Sequence, residues 1–407
     1  MSVVVLHPSA RSRVWERIAI IAWCAVMLFV SVRVFLTPAA KTVYPIFSAS
    51  ARFWWEGIDL YEPDRPTDVQ GGYRYTPGCA VAFTPFALFP DSIGGVLWRL
   101  FNVAALFGSG FWLVRAVLPN LLSSRNLGLL ALLMMPMALQ SVSNGQANLV
   151  VIACMIGCIA AVAEERWNLC SILMAVAFAM KLYPLALGMI LMLLYPRRLS
   201  WRIPLACVVS LLVPFCFQWP DYVIDQYAKW IAVLRADDRA DIMMEHMYRD
   251  LWLLIYLYDL PISRQAYLLI QMAGGGLVAL WCWRRQRAGW PMSDLLVATL
   301  ALTTAWMMLL GPATESSSFV ILAPSFAISV LQAMTSDERG LCRALLWASC
   351  VCFFMAVGLG GFVTTVQIHY LGVHVWGSLF YFAYLLTQPR PAVAQELSQS
   401  ENLKLAA

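Results

Sequence analysis

Apolar runs of about 14 to 22 residues, separated by short polar stretches rich in arginine, occupy almost the whole chain. At a rise of about 1.5 Å per residue, runs of this length suit helices crossing a hydrocarbon layer about 30 Å thick. The pattern predicts spans at 15–36, 94–114, 126–142, 147–163, 168–181, 184–196, 202–219, 266–283, 292–310, 318–334, 342–361 and 375–388. That is an all-α, polytopic membrane protein of about 12 transmembrane helices. The runs at 168–181 and 184–196 are short and meet at Lys181-Leu182-Tyr183-Pro184. Segment 77–90 is shorter than a span and is broken by Pro77, Pro85 and Pro90, so it reads as a re-entrant or interfacial piece.

Composition agrees with a bilayer as the main solvent. The chain has 61% hydrophobic and 13% charged residues, where soluble domains carry about 25% charge. Mean hydropathy is +0.70. The first run has no small-residue cleavage site before Lys41 and reads as a retained helix rather than a signal peptide. The 11 cysteines are scattered singly through apolar runs, with Cys154 and Cys158 sharing a helix face, so they read as packing residues. No Cys/His spacing of metal-ligand type occurs, and no metal site is expected.

The net charge of +5 comes mainly from short clusters: Arg11-Arg13-Arg17, Arg115 to Arg125, Arg166, Arg197-Arg198-Arg202, Arg284-Arg285-Arg287 and Arg339-Arg343. Short basic loops stay cytoplasmic, so the clusters report topology and give no case for a nucleic-acid partner. Both termini then lie in the cytoplasm of a cell (plasma or inner) membrane. Residues 1–388 form one membrane domain and 389–407 a polar tail expected to be disordered. The first external loop is 37–76 and the large external loop 219–265.

This topology sends the unusual polar groups to one face. Asn144, Gln146 and Asn148 place amides at the ends of lipid-compatible segments, where they either bond sugar hydroxyls or cap the helix that follows. Lys181 either snorkels to the interface or faces a cavity and holds an anion such as a lipid phosphate. In the first loop Phe53, Trp54 and Trp55 read as an interfacial anchor. Arg52, Arg74 and Tyr75 pair guanidinium forks with aromatic rings, a combination that holds phosphate or sugar. Glu315, in Thr314-Glu315-Ser316, either caps a helix or aims a carboxylate into the external cavity. Glu245-His246 with Arg249 places acid, base and anion-binding groups on one short segment of a loop that otherwise reads as solvated.

Several of these pieces stand in a telling order: Tyr44-Pro45-Ile46-Phe47, Gly57-Ile58-Asp59-Leu60-Tyr61, Tyr73-Arg74-Tyr75-Thr76-Pro77, Gly145-Gln146-Ala147-Asn148 and Lys181-Leu182-Tyr183-Pro184. The order resembles glycosyltransferase family 87, a GT-C group that includes polyprenol-phosphate-mannose-dependent α-mannosyltransferases. The resemblance implies a GT-C-like fold of about a dozen helices with external loops forming the active face. It also implies transfer of a mannose-like hexose from a polyprenyl-phosphate sugar to a lipid or glycan acceptor, with inversion. The lipid-phosphate sugar is then a co-substrate, with no cofactor or divalent metal. The partners are this donor, the acceptor and membrane lipids.

The family's acid in the first external loop falls in register on Val43 or Tyr44, and no carboxylate occurs from Thr37 to Ala51. The general-base candidates are therefore Glu56, Asp59 and Glu315. The paired histidines of the family's late external loop are replaced by Thr314-Glu315-Ser316. Donor-phosphate candidates are Lys181, Arg74 and Arg52; sugar or acceptor candidates are Tyr75, Asn144, Gln146, Asn148, His246 and Arg249. A polar-lipid transporter, or a non-catalytic scaffold descended from such a transferase, is the alternative reading.

Overall fold

The computed structural model describes residues 12–62, 72–236, 247–311, 314–335, 340–359 and 370–388. Among these residues there are 17 helices and no strand, as the apolar pattern predicts. The described residues start with α1 (Ser12–Leu36), then the short helices α2 (Tyr44–Glu56) and α3 (Pro77–Ala87). Next come α4 (Asp91–Val117), α5 (Ser124–Asn144), α6 (Asn148–Ala163), α7 (Trp167–Met180), α8 (Leu185–Leu194), α9 (Pro196–Leu199) and α10 (Arg202–Leu212). α11 (Pro220–Ala236) and α12 (Leu251–Leu257) precede α13 (Arg264–Arg287) and α14 (Met292–Leu310). A 3-10 turn (Ser316–Ile321) leads to α15 (Ala323–Thr335), α16 (Leu341–Leu359) and α17 (Val373–Thr387).

Among the described residues six helices are long and apolar enough to cross a membrane, counting α9 and α10 as one continuous piece with its following turn. Seven further apolar helices are shorter, α6, α7 and α8 among them. The packing explains the difference in length. α1, α10 and α13 expose large apolar side chains such as Ile21, Leu28, Phe29, Val208, Leu268 and Leu269, as lipid-facing helices do. By contrast every residue of α6 from Asn148 to Val162 is buried. α6 carries Ala153, Cys154, Gly157, Cys158, Ala160 and Ala161, small residues that let neighbouring backbones approach. A Cβ on Gly157 would lie 2.8 Å from Leu173 of α7. At 16, 14 and 10 residues, α6, α7 and α8 measure roughly 24, 21 and 15 Å. Helices shorter than the bilayer place their ends, and the polar junctions there, below one membrane surface.

The glycine run on α13 has a packing role. Trp306 of α14 fills the notch at Gly274 and Gly275, where added Cβ atoms would meet its indole at 3.2 and 3.0 Å. Its Nε1 donates to the Gln271 carbonyl at 3.1 Å, and Gln271 Nε2 donates to the Leu310 carbonyl at 2.6 Å.

The segment after Pro77 is an 11-residue helix with Pro85 inside it, started by Thr76, whose hydroxyl accepts from Cys79 N. Two expectations change. Trp54 is no membrane anchor: it is fully buried, while Trp55 is 46% exposed. Finally, the loop 219–265 contains α11 and α12. α11 buries Val223, Gln226 and Trp230 at helical spacing, and a glutamine in that stripe disguises it as solvated sequence. That glutamine accepts from Leu60 N at 2.8 Å, Gln218 Nε2 donates to the Trp54 carbonyl at 2.7 Å, and Tyr222 Oη donates to the Ile58 carbonyl at 2.6 Å. α11 is thereby strapped onto the segment that joins α2 to α3.

Candidate functional site

The α5–α6 junction is built by the chain termini of two helices and two arginines. An α-helix leaves its last four carbonyls without intrahelical donors. In α5 all four are satisfied from outside the regular helix. Gln146 N donates to Ser141 O at 3.1 Å, and Arg99 Nε donates to Val142 O at 3.0 Å. Arg33 Nη2 donates to Ser143 O at 2.6 Å, with Arg99 Nη2 adding a bond at 3.0 Å. Thr42 Oγ1 and Val43 N donate to Asn144 O at 2.8 and 2.9 Å. Arg99 is 1% exposed and also donates to Gly95 O and to Thr42 Oγ1. Positive charge at a helix C-terminus is favourable. Gly145 then turns the chain with φ +68°, and a Cβ there would lie 2.9 Å from the Arg99 guanidinium.

What this junction holds up is a cluster of polar side chains from distant parts of the chain. Gln146 Nε2 donates to Glu315 Oε2 at 3.5 Å, and Ser317 Oγ donates to the same oxygen at 3.4 Å. Asn148, fully buried, donates from Nδ2 to Ser317 O at 3.0 Å and accepts from Tyr183 Oη at 3.4 Å. Lys181 Nζ stands 5.6 Å from the centre of the Tyr183 ring. Lys181, Tyr75, Tyr183 and Arg249 all lie within the electrostatic reach of the Glu315 carboxylate. Thr76 Oγ1 donates to Ala179 O at 2.6 Å, which fixes the start of α3 against the end of α7 beside Lys181.

The 3-10 turn brings Glu315 into this group. Glu315 is its N-cap and shares a capping box with Ser318. Capping and an exposed carboxylate therefore coexist at one residue, because one carboxylate has lone pairs for both. On the other side, Arg249 N donates to Thr314 O at 2.7 Å. Arg249 Nη1 lies 3.3 and 3.2 Å from the two ring nitrogens of His374. A nitrogen nearly equidistant from both cannot sit in the ring plane without colliding with the carbon between them, so the guanidinium lies over the imidazole face. Burial lowers the Arg249 guanidinium from its ordinary range to about 10, the Glu315 carboxylate opposing that shift.

Six of the residues singled out from sequence thus meet: Tyr75, Gln146, Asn148, Lys181, Arg249 and Glu315. The others stand elsewhere or act differently. Arg52 pairs with Asp91 at 2.6 Å and donates to the carbonyls of Ala87 and Phe89, so its fork closes the α3–α4 turn. Asp59 accepts from Tyr61 N at 2.9 Å and pairs with Lys229 of α11 at 2.9 Å. Glu56 is exposed at the end of α2. Arg74 adjoins Tyr75, and its carbonyl accepts from Trp230 Nε1 at 3.2 Å. Asn144 contributes its carbonyl, as above. His246 and its neighbour Glu245, like the tail 389–407, lie outside the described residues.

Arg99, Tyr183 and His374 received no role from sequence. Arg99 had a signal: it is an arginine inside an apolar run, where a charge is costly enough to require a partner. His374 gave none, since a single histidine near a helix start is uninformative. Among the described residues no group of three or more His, Cys, Asp or Glu is placed to hold a metal ion.

The arrangement joins one solvent-reachable carboxylate to an ammonium, a guanidinium and two amides near the α5–α6 and α7–α8 junctions. Such a set can take a proton from a hydroxyl while holding an anion nearby. Residues 73–312 match the model of glycosyltransferase family 87, a stretch that includes α3 to α14 and all of the cluster except Glu315, Ser317 and His374. No curated protein and no solved structure matches the chain.

Proposed function

The chain belongs to glycosyltransferase family 87, a membrane glycosyltransferase family that moves a sugar from a donor to an acceptor, and on that premise we propose its substrate class and chemistry. The donor is a polyprenyl-phosphate hexose, mannose-like, and the acceptor a lipid or glycan on the non-cytoplasmic face of the cell membrane. Both chain termini then lie in the cytoplasm. The observation that carries this reading is the convergence of Lys181, which follows α7, and Arg249 on the Glu315 carboxylate, beside the start of α6. A polyprenyl phosphate stays in the bilayer, so its phosphate arrives at headgroup depth, where a cationic recess is needed.

The reaction follows from the roles these groups can fill. Glu315 accepts the proton of the acceptor hydroxyl. The freed oxygen forms a bond to the anomeric carbon as the bond from that carbon to the phosphate oxygen breaks, inverting the centre. Polyprenyl phosphate leaves with an additional negative charge, and Lys181 stabilises that charge most strongly in the transition state. Arg249, next to the Thr314 carbonyl, adds a second cation. Gln146 orients a sugar hydroxyl, Asn148 positions Tyr183 and the Ser317 backbone from its buried place, and Tyr75 and Tyr183 supply ring faces. Glu315 is preferred over Asp59 as base because Asp59 is engaged by Lys229.

The test incubates purified protein with radiolabelled polyprenyl-phosphate hexose and native membrane extract. Time-dependent label in a new glycolipid or glycan is expected. Label that only changes leaflet would instead make the protein a lipid transporter.

A further inference from the structure

A cavity lies at the other end of α8 from the Glu315 cluster, roughly 15 Å of helix away, and shares no lining residue with that cluster. It has a volume of about 810 Å³ and opens between the α8–α9 corner and the C-terminal end of α13. Met192, Leu193, Leu194 and Trp283 form its apolar wall, and Gln286 and Arg287 its polar rim. The two walls are pinned together: Gln286 Nε2 donates to the Leu194 carbonyl at 2.9 Å. Leu193 is 43% exposed, which leaves an apolar side open to the surroundings of the bundle.

Charge selects the occupant. Arg197 and Arg198 on α9, Arg202 on α10, and Arg284 and Arg287 on α13 gather at this end. None of the five makes an ion pair among the described residues. There is also no carboxylate to neutralise them within either segment: none occurs between Glu165 and Asp221, and none between Asp259 and Asp294. Arg202 is committed to Asn168 Oδ1 and the Arg198 carbonyl at 2.9 and 2.6 Å. Among the described residues Arg287 makes a ring contact, 5.4 Å from Trp283, and no ion pair, and its side chain is exposed. An apolar slot with a tryptophan wall and an uncompensated guanidinium rim matches a molecule that is apolar along its length and anionic at its head.

We propose that this groove is a binding site for an anionic membrane phospholipid, with an acyl chain along Met192, Leu193 and Trp283 and the phosphate at Arg287. The site stands on the cavity and the arginine rim and does not depend on the transferase reading. Its function is to tie the α8–α9 corner to α13, and so to steady the helix that ends at Lys181–Pro184.

The full-length protein in mild detergent, given equimolar phosphatidylglycerol and phosphatidylcholine, is examined by native mass spectrometry. The wild type is expected to retain phosphatidylglycerol preferentially. One arginine at a lipid surface is worth enough that Arg287→Gln weakens this binding about fivefold. Because Arg287 is exposed, that variant keeps the fold. Ser200→Trp, which fills the cavity without touching charge, should lower retention of both lipids. Arg125→Gln, a basic residue at the start of α5 outside the groove, should change nothing. Equal retention of the two lipids by wild type, unchanged preference in Arg287→Gln, or an equal loss in Arg125→Gln each overturns the proposal.

Discussion

Replacing Glu315 by glutamine separates its two roles. As N-cap of the 3-10 turn the residue accepts from the Ser318 amide while its own N–H donates to Ser318 Oγ at 3.2 Å. A glutamine side chain keeps an acceptor oxygen of nearly the same reach, so capping changes by only a few tenths of a kcal/mol, against about 1 kcal/mol for a full truncation to alanine. Proton abstraction is lost outright, since an amide oxygen has negligible basicity. General-base catalysis contributes about 100- to 10,000-fold, equivalent to roughly 3–5 kcal/mol of barrier. The two effects differ by an order of magnitude in free energy, and thermal stability and transfer rate therefore report on different roles.

The measurement pairs a melting curve in detergent with initial rates of label transfer at saturating donor. Glu315→Gln should melt within about 2 °C of wild type, since a few tenths of a kcal/mol moves a chain of this size very little, and transfer at least 100-fold more slowly. Asp59→Asn and Glu56→Gln complete the comparison. Asp59→Asn breaks an ion pair with side-chain exposures of 25 and 41%, worth under about 1 kcal/mol, and should leave the rate nearly intact. A Glu315→Gln enzyme within a factor of ten of wild type, or an Asp59→Asn enzyme that has lost transfer activity, refutes the assignment of Glu315 as base.

Lys181→Ala removes the ammonium nearest Glu315 and is expected to lower the rate about 100- to 1,000-fold at unchanged expression, whereas a snorkelling lysine would leave the rate alone. Arg99→Met strips donors from Val142, Ser143 and Thr42 in a buried site and should destabilise the protein by about 3 kcal/mol, read by thermal unfolding. Asp250, the buried N-cap of α12, has its carboxyl pushed up to about 7 by burial, so the folded protein holds a proton that the unfolded chain releases near pH 4. Its contribution to stability is fully present below that pH and is lost as pH rises from about 4 to 7. Asp250→Asn, which preserves the cap on Trp252 N at 2.9 Å, should flatten this part of the stability profile.

How much of this was legible beforehand depends on whether a residue's partner is near or far in sequence. The span at 292–310 coincides with α14, and most other spans fall within a few residues of their helices, because periodic apolarity against lipid is a local signal. α11 was not legible, since its buried stripe contains Gln226, whose partner Leu60 lies 166 residues away. The candidate site divides in the same manner. Gln146 and Lys181 drew attention as polar residues where lipid is the solvent, while the choice among Glu56, Asp59 and Glu315 turned on Lys229, which sequence gives no reason to place beside Asp59.

The same distinction accounts for the arginines. In sequence Arg33, Arg52 and Arg99 are alike, single guanidinium groups near the ends of apolar runs, and only Arg52 stands out because aromatics surround it. The fold gives Arg33 and Arg99 the carbonyls that end α5, and gives Arg52 the carbonyls that end α3. All three therefore neutralise helix C-termini, where fork geometry and positive charge are both favourable. Lys181 differs from them: its ammonium is a compact point charge with no backbone carbonyl among its described hydrogen bonds, and the Glu315 carboxylate is the first charge that acts on it. With these three arginines committed to helix ends, the proposed phosphate site falls to Lys181, with Arg249 as its second cation. That division of labour is the physical reason for expecting Lys181→Ala to affect rate and Arg99→Met to affect stability.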